Sequence, residues 1–527
     1  MQYLQHKISS RRLAVLAFAV LNVLWGCIGA AALARAQTPF ADRLGVTHDW
    51  GHYNFTTKDF LTEGADEIAA TGSHVIKLWL SPDTRYAYAP NSTWPAYTNM
   101  VDTVKVSYFA NALKRPEFHT YILNALPADD TTAGECPNWM TYTSTNYNSV
   151  HDAFKNLTVY LMQTYKGTGK TFILQNWESD NASQKFALPL STPANANALI
   201  GWLNARQDGI TDGRAAAAAN TGVSVYGAAE VNYLGARNPT DAWAIDRVVP
   251  WTHMDLYSYS CYSYDTGYSA STIQTNLSYI KTMAPDSPTF GANNVYVGEF
   301  GAPQNASDVL NEWTQYALTY TQAKAALDWG ALYVVYWQIF DNEYNNSTGK
   351  YNGYWLRKSD GTYAMSWSFI HDTCAHNTYP AAPQFNPNVY YRLCGKTSGL
   401  ALDNGGSISN STNVTQNTPS SGNINQQWKI IYAGNGYYNV ISKKSGMALD
   451  NGGSSSNSTA ITQYSMMAGN TNQLWQLINL GGGCYNLICK SSGKALDNGG
   501  STINGAATTQ YTASTTNANQ QWLITPQ

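Results

Sequence analysis

The sequence predicts an α/β barrel of eight strand–helix units, followed by an all-β domain built from three equal units. Short apolar runs alternate with helix-length stretches across roughly residues 40–372. From about residue 388 to the end, three motifs recur with one period. A polar stretch carrying Pro380, Pro383 and Pro387 separates the two regions and marks a domain boundary.

The apolar runs are Leu44–His48, Val75–Leu80, His119–Leu126, Phe172–Trp177, Val223–Ala228, Met254–Tyr259, Val295–Phe300 and Leu332–Ile339. Between them, Asp152–Tyr165, Asn197–Asn220 and Leu310–Leu327 have helical length and pattern. Eight such alternations fit a (β/α)8 barrel, where chemistry gathers at the C-terminal ends of the strands.

Those ends carry the polar residues to inspect. Strand 4 runs out through Asn176, Trp177 and Glu178, and strand 7 closes on Glu299. Strand 8 delivers Trp337, with Glu343 just beyond. An acid closing a barrel strand is costly to bury without a task. The alternative for either glutamate alone is a rim salt bridge or a helix cap. Glycoside cleavage needs two carboxyls: one ionised to attack the anomeric carbon, the other protonated to serve the leaving oxygen. Trp177 and Trp337 would supply the poorly hydrated pocket that keeps a carboxyl protonated. Glu230, after strand 5, is a third candidate that supports the acid, binds substrate or caps the next segment. Lys77, His48, Asp49 and Glu343 stand near strand ends as sugar contacts or as ordinary rim residues.

The repeats are explicit. Ala-Leu-Asp-Asn-Gly-Gly begins at Ala401, Ala448 and Ala495, so its aspartates Asp403, Asp450 and Asp497 are spaced 450 − 403 = 47 and 497 − 450 = 47. Gln-x-Trp keeps the same step at Trp428, Trp475 and Trp522, and so do Tyr391, Tyr438 and Tyr485. Short alternating runs broken by Gly, Asn and Ser read as strands and turns. One unit cannot close a core, but three around an axis can.

This C-terminal pattern, over residues 388–527, resembles the ricin-B-type β-trefoil family of carbohydrate-binding modules. The resemblance implies sugar-binding aspartates at Asp403, Asp450 and Asp497, with Asn425, Asn472 and Asn519 as their amide partners. It implies ring platforms at Tyr464 and Tyr511; the first unit has Asn417 there, which makes Asp403 the weaker site. Gln416, Gln463 and Gln510 are read as structural. A trefoil with dead sites, kept as a spacer, is the alternative.

The barrel resembles the large clan of retaining (β/α)8 glycoside hydrolases that place the acid/base after strand 4 and the nucleophile after strand 7. On that resemblance Glu178 is the acid/base and Glu299 the nucleophile. Asn176 contacts the sugar 2-OH, Tyr259 stands near the nucleophile, and Trp337 lies beneath the sugar. Lys77, Trp177 and Glu230 complete the expected substrate contacts. The clan has Asn directly before Glu, whereas here Trp177 intervenes.

Composition narrows the partners. Net charge is −3, only 12% of residues are charged, and no basic run offers a phosphate-tracking surface, so nucleic acid is not an expected partner. The 17 Trp and 37 Tyr, with many amides and hydroxyls, suit a neutral hydroxylated ligand. A polar uncharged extracellular surface would have the same composition.

Residues 1–36 read as a signal peptide: Lys7, Arg11 and Arg12, an apolar stretch from Leu13 to Ala32, then Ala34-Arg35-Ala36 before Gln37. Retention as a membrane anchor is the alternative. The expected parts are therefore a leader (1–36), a catalytic barrel (37–375), a linker (376–387) and a trefoil (388–527). Cys27 lies in the leader, which leaves six cysteines in an oxidising compartment. Nearest-neighbour pairing would join Cys484 to Cys489 and Cys374 to Cys394, although sequence does not fix connectivity. No CxxC pair or His/Cys cluster suggests a zinc site, and no cofactor or metal is expected.

The expected protein is a secreted or periplasmic monomer, free of the membrane once its signal is cleaved. It cleaves a polysaccharide or oligosaccharide with retention and holds glycan with its trefoil. The alternatives are an exo-acting glycosidase on short glycans or glycolipids, and a glycan-binding protein whose barrel no longer catalyses.

Overall fold

The computed structural model describes residues 38–127, 144–185, 187–234, 242–304, 312–380, 385, 389–434 and 436–527. The expected leader, Cys27 and Cys136 lie outside them. Eight parallel strands close in chain order into one barrel: β1 (Leu44–His48), β2 (Val75–Leu80), β3 (Thr120–Ala125), β4 (Thr171–Gln175), β5 (Ser224–Val231), β6 (Leu256–Cys261), β7 (Val295–Phe300) and β8 (Val334–Tyr336). A β-trefoil follows. The expected helices form as Ser144–Thr164, Pro193–Ala216 and Glu312–Trp329. No helix among the described residues is long and apolar enough to cross a membrane.

Alternation along each strand sorts side chains into two cores. Val75, Ile122, Ile173, Ala228, Leu256, Tyr296 and Val335 fill the barrel interior as an apolar floor. Their strand neighbours face the surrounding helices. Two residues further along the same inward faces come Lys77, Asn124, Gln175, Glu230 and Ser258. The interior therefore changes from apolar to polar within one layer.

The trefoil units share more than their spacing. Trp428, Trp475 and Trp522 are wholly buried, and each indole N–H donates to the carbonyl of Leu402, Leu449 or Leu496 at 2.9–3.0 Å. At the pseudo-three-fold axis the backbone N–H of Val414 donates to Ile461, that of Ile461 to Thr508 and that of Thr508 to Val414, at 2.8–2.9 Å. Gln416, Gln463 and Gln510 each donate to backbone carbonyls of another unit, in keeping with a structural role.

The other end of the axis is closed by a residue from between the domains. The ring of Phe385 lies 5.3, 5.8 and 5.1 Å from those of Tyr391, Tyr438 and Tyr485. Helix Met365–His376 of the barrel domain also packs on the trefoil strand Trp428–Gly434. There Tyr432 donates to Asp372 at 3.3 Å and its ring meets Tyr316 at 5.6 Å. The domains are thus joined by buried aromatic contacts as well as by the chain.

The expected disulfides do not form: Cys261, Cys374, Cys394, Cys484 and Cys489 are all free thiols. Cys484 and Cys489 stand at the two ends of one extended strand, roughly 17 Å apart at about 3.3 Å per residue. A disulfide requires Cα atoms within about 7 Å. Cys374 is buried in its helix and Cys394 lies in the first trefoil strand.

Candidate active site

The polar layer above the apolar floor holds one cation and three carboxyls. The Lys77 ammonium, wholly buried, donates to Glu299 Oε1 at 2.6 Å and lies 3.6 Å from Glu230 Oε1. Burial opposes its charge, but Glu230 and Glu299 hold its pKa above the ordinary lysine value.

Glu230 is fixed from several sides. Gln175 Nε2 and the Ser258 hydroxyl each donate to its Oε1 at 2.8 Å, and the backbone N–H of Glu178 donates to its Oε2 at 3.2 Å. Burial raises its pKa to about 7, with Lys77 opposing the rise and Glu299 adding to it.

Glu178 follows β4 and immediately precedes the helix Ser179–Lys185, with Asn181 donating to its carboxylate. Burial, then the charges of Glu299 and Glu230, push its pKa well above the carboxylate range. One lysine balances one carboxylate, so proton retention by the others is the electrostatic consequence.

Glu299 reaches this cluster through a local irregularity. Tyr259 pairs with Val297 and Ser260 with Glu299, so Gly298 is an extra residue in β7. Strict alternation would leave Glu299 on the outward face with Val297; a bulge re-aims the side chain. Only glycine fits at 298, because a Cβ there would lie 2.0 Å from Ser258 Oγ and 2.6 Å from Glu230 Oε1. Ser260 and Tyr262 hydroxyls then donate to Glu299 Oε2, each at 3.2 Å. Ser260 also lies close enough to Glu178 to bear on its protonation.

Ser260 thus lies beside both glutamates picked out by strand position.

The remaining expected residues are distributed more widely. Trp337 lies at the mouth, its indole donating to Glu343 at 3.2 Å and its ring 5.9 Å from Trp79. Trp177 sits past the end of β4, with the Lys185 ammonium 5.8 Å from its ring. The Asn176 amide is engaged in wiring β4 to β5: it accepts from the Glu230 N–H and donates to Trp177 O and Ser179 Oγ. Tyr259 points away from Glu299, its hydroxyl bonded to Asp265, with Asn276 donating to it. The phenol at Glu299 is Tyr262. His48 is likewise turned outward, bonded to Phe60 O at 2.9 Å.

Sequence reasoning missed Ser260, Tyr262 and Asn124. Asn124 is 3% exposed, and neither atom of its amide has a partner among the described residues. A buried amide in that condition is open to a ligand's hydroxyls. Its signal was legible: one amide inside an otherwise apolar run.

At the opposite end of the barrel, Asp42 Oδ1 meets the Nδ1 atoms of His74 and His119 at 2.7 and 2.8 Å. It is the one His/Asp group among the described residues with metal-like spacing. Its distances are those of a carboxylate shared by two imidazole N–H groups.

In the trefoil, Asp403, Asp450 and Asp497 are 3–5% exposed. One oxygen of each accepts from Gly405, Gly452 or Gly499 N–H at 2.7–2.8 Å. The other accepts from Gln426, Gln473 or Gln520 Nε2 at 3.0–3.1 Å. Each oxygen retains a further lone pair. Asn425, Asn472 and Asn519 lie close by, with Nδ2 3.5 Å from where a Cβ on Gly406, Gly453 or Gly500 would be. Asn519 differs in accepting from Thr397 at 3.0 Å. Tyr464 and Tyr511 are 38% and 44% exposed.

Residues 375–464 and 471–527 match the family described as ricin-type beta-trefoil lectin domain-like. No curated protein matches the chain. Among solved structures, the designed three-fold symmetric protein ThreeFoil is 43% identical over 26% of this chain and 96% of its own, with a TM-score of 0.25. An exo-beta-1,3-galactanase from Clostridium thermocellum, 1,3Gal43A, is 30% identical over 28% of this chain and 32% of its own, with a TM-score of 0.26. The Macrolepiota procera ricin B-like lectin, solved with lactose, is 18% identical over 27% of this chain and 97% of its own, with a TM-score of 0.23.

Proposed function

We propose that this protein is an exported retaining β-glycoside hydrolase that acts on a polysaccharide or oligosaccharide and holds glycan with its trefoil. An eight-stranded parallel barrel followed by a ricin-type trefoil is consistent with a carbohydrate-active enzyme carrying a binding module. The observation that carries the finer reading is that Glu178 and Glu299, at the ends of β4 and β7, meet in one buried cluster, with Glu299 on the Lys77 ammonium and its charge raising the Glu178 pKa. A retaining pair needs carboxyls about 5–5.5 Å apart, whereas an inverting pair needs about 6.5–9.5 Å to house a water.

The roles follow from charge. Glu299, in contact with the Lys77 ammonium, is the ionised nucleophile, and Tyr262 and Ser260 aim it. Glu178, with its raised pKa, is the acid that protonates the leaving oxygen. It then takes a proton from the water that releases the glycosyl–enzyme ester. Asn124, Trp79 and Trp337 line the sugar side.

NMR of the first product from a p-nitrophenyl β-glycoside panel should show the retained anomer. Glu178→Ala should spare activated aryl glycosides relative to poor leaving groups and be partly rescued by azide, yielding the β-glycosyl azide. An inverted first product would overturn the assignment.

A further inference from the structure

We propose that an aromatic track runs outward from Glu178 over Tyr264, Tyr233, Trp243 and Trp251, and that it binds consecutive sugars on the leaving side of a β-linked glycan. This rests on the glycosidase reading and goes beyond it in naming the substrate form. The general acid must lie within hydrogen-bond reach of the leaving oxygen, so the leaving portion of the chain lies on Glu178's side.

That side is built of rings. From Tyr262, which touches Glu299, the Tyr264 ring is 6.1 Å away, Tyr233 is 5.0 Å beyond Tyr264, and Trp243 is stacked on Tyr233 at 4.7 Å and 25°. Both Tyr264 and Tyr233 lie near enough to Glu178 to feel its charge.

Beyond the rings the surface stays concave. Trp243 borders a groove of about 550 Å³, and a second of about 460 Å³ ends on Trp251. The two share Leu190 and Ser191 in their walls. Each has the size of a small-molecule site.

Tyr264 and Trp251 are 51% and 59% exposed, large apolar faces that folding leaves in water. Flat rings flanked by hydroxyls and amides fit the C–H faces and hydroxyls of a sugar chain.

The test uses the full chain with ladders of two to six units from β-1,4-glucan, β-1,3-glucan, β-1,4-mannan, β-1,4-xylan and β-1,4-galactan. Products formed in ¹⁸O water, read by mass spectrometry, report which bond is cut. Wild type should show kcat/KM rising for each sugar added on the leaving side.

Trp243→Ala should cost about tenfold on chains that reach it, the worth of one ring contact. Trp251→Ala should show a loss of similar size that begins only with longer chains. A second readout is tryptophan fluorescence quenching by the longest ladder member in the Glu299→Gln enzyme, which should weaken in Trp243→Ala.

Turnover independent of leaving-side length, or a loss equal for every length, would overturn the track while leaving the glycosidase reading intact. Failure of wild type to cleave any ladder or aryl glycoside would overturn both.

Discussion

Glu178, Glu230 and Glu299 crowd around a single buried ammonium in the barrel. Asp403, Asp450 and Asp497 lie one to a trefoil unit, each met by a glycine N–H and a glutamine amide. All six carboxyls are nearly excluded from water. Crowding makes the barrel group compete for one positive charge, so protons are retained and can be handed on. Isolation among neutral donors makes each trefoil carboxylate a fixed acceptor. Burial alone therefore does not mark a catalytic acid; burial beside other acids does.

The largest expected effects separate the two regions. Glu299→Ala should lower kcat by about 10⁴-fold or more, because no covalent intermediate can form, while retention on immobilised glycan is kept. Asp450→Ala with Asp497→Ala should do the reverse, abolishing retention and sparing turnover of a small soluble glycoside. Parallel loss of both activities in either variant would show that the two regions act as one site.

The lysine tests the crowding argument. Lys77→Met removes the charge that favours ionised Glu299 and Glu230. The acidic limb of the kcat/KM profile should move up by about 1–3 pH units, since Lys77 opposes the rise in the Glu230 pKa. Stability carries a matching sign. Glu230 has a folded pKa raised to about 7, so its contribution is present below the ordinary carboxylate value and is lost as pH rises through about 7. A Lys77→Met profile unmoved on its acidic side would break the electrostatic assignment.

Gly298→Ala probes the geometry that holds the three acids together. Its Cβ would collide with Ser258 Oγ and Glu230 Oε1. The expected cost is about 1–3 kcal/mol in denaturant unfolding, with a kcat loss from a displaced Glu299. Wild-type stability and kcat would remove the bulge from the account.

The bulge also shows where sequence reasoning stopped. Eight apolar runs and a 47-residue period were legible because each repeats, and repetition survives local error. The placement of Glu178 and Glu299 at strand ends was legible because acids there are rare. Tyr259 was misplaced because a register shift between it and Ser260 is a property of paired backbones and leaves no mark in one strand. Tyr262 lies one residue past β6, where alternation no longer applies. Asn176 matched a motif by type, yet the inserted Trp177 turned its amide to backbone wiring. Phe385 sits in a proline-containing stretch that reads as polar spacer, and only the convergence of Tyr391, Tyr438 and Tyr485 gives it a place. The cysteines were paired by proximity in sequence, which an extended strand converts into distance in space.

The smallest expected effect concerns the one position where the trefoil units differ in their platform. Asn417 faces Ala401 in the register in which Tyr464 faces Ala448 and Tyr511 faces Ala495. The rest of the first site is intact, since Asp403 keeps both its donors. Asn417 is half-buried and among the described residues its amide reaches only Thr415 Oγ1, at 3.3 Å, so little is lost on replacing it. Tyrosine is also the better strand former. Asn417→Tyr should therefore fold as wild type and add a third ring beside a ready acceptor. One further equal site raises retention statistically, and avidity on a polymer adds to that; the gain should be about threefold or less. Frontal affinity chromatography on the glycan that retains wild type reads it directly. A gain that persists in Asp450→Ala with Asp497→Ala would show that the first unit alone binds. No gain in either background would mean that Asp403 is not presented to sugar, and that the three units differ by more than their ring.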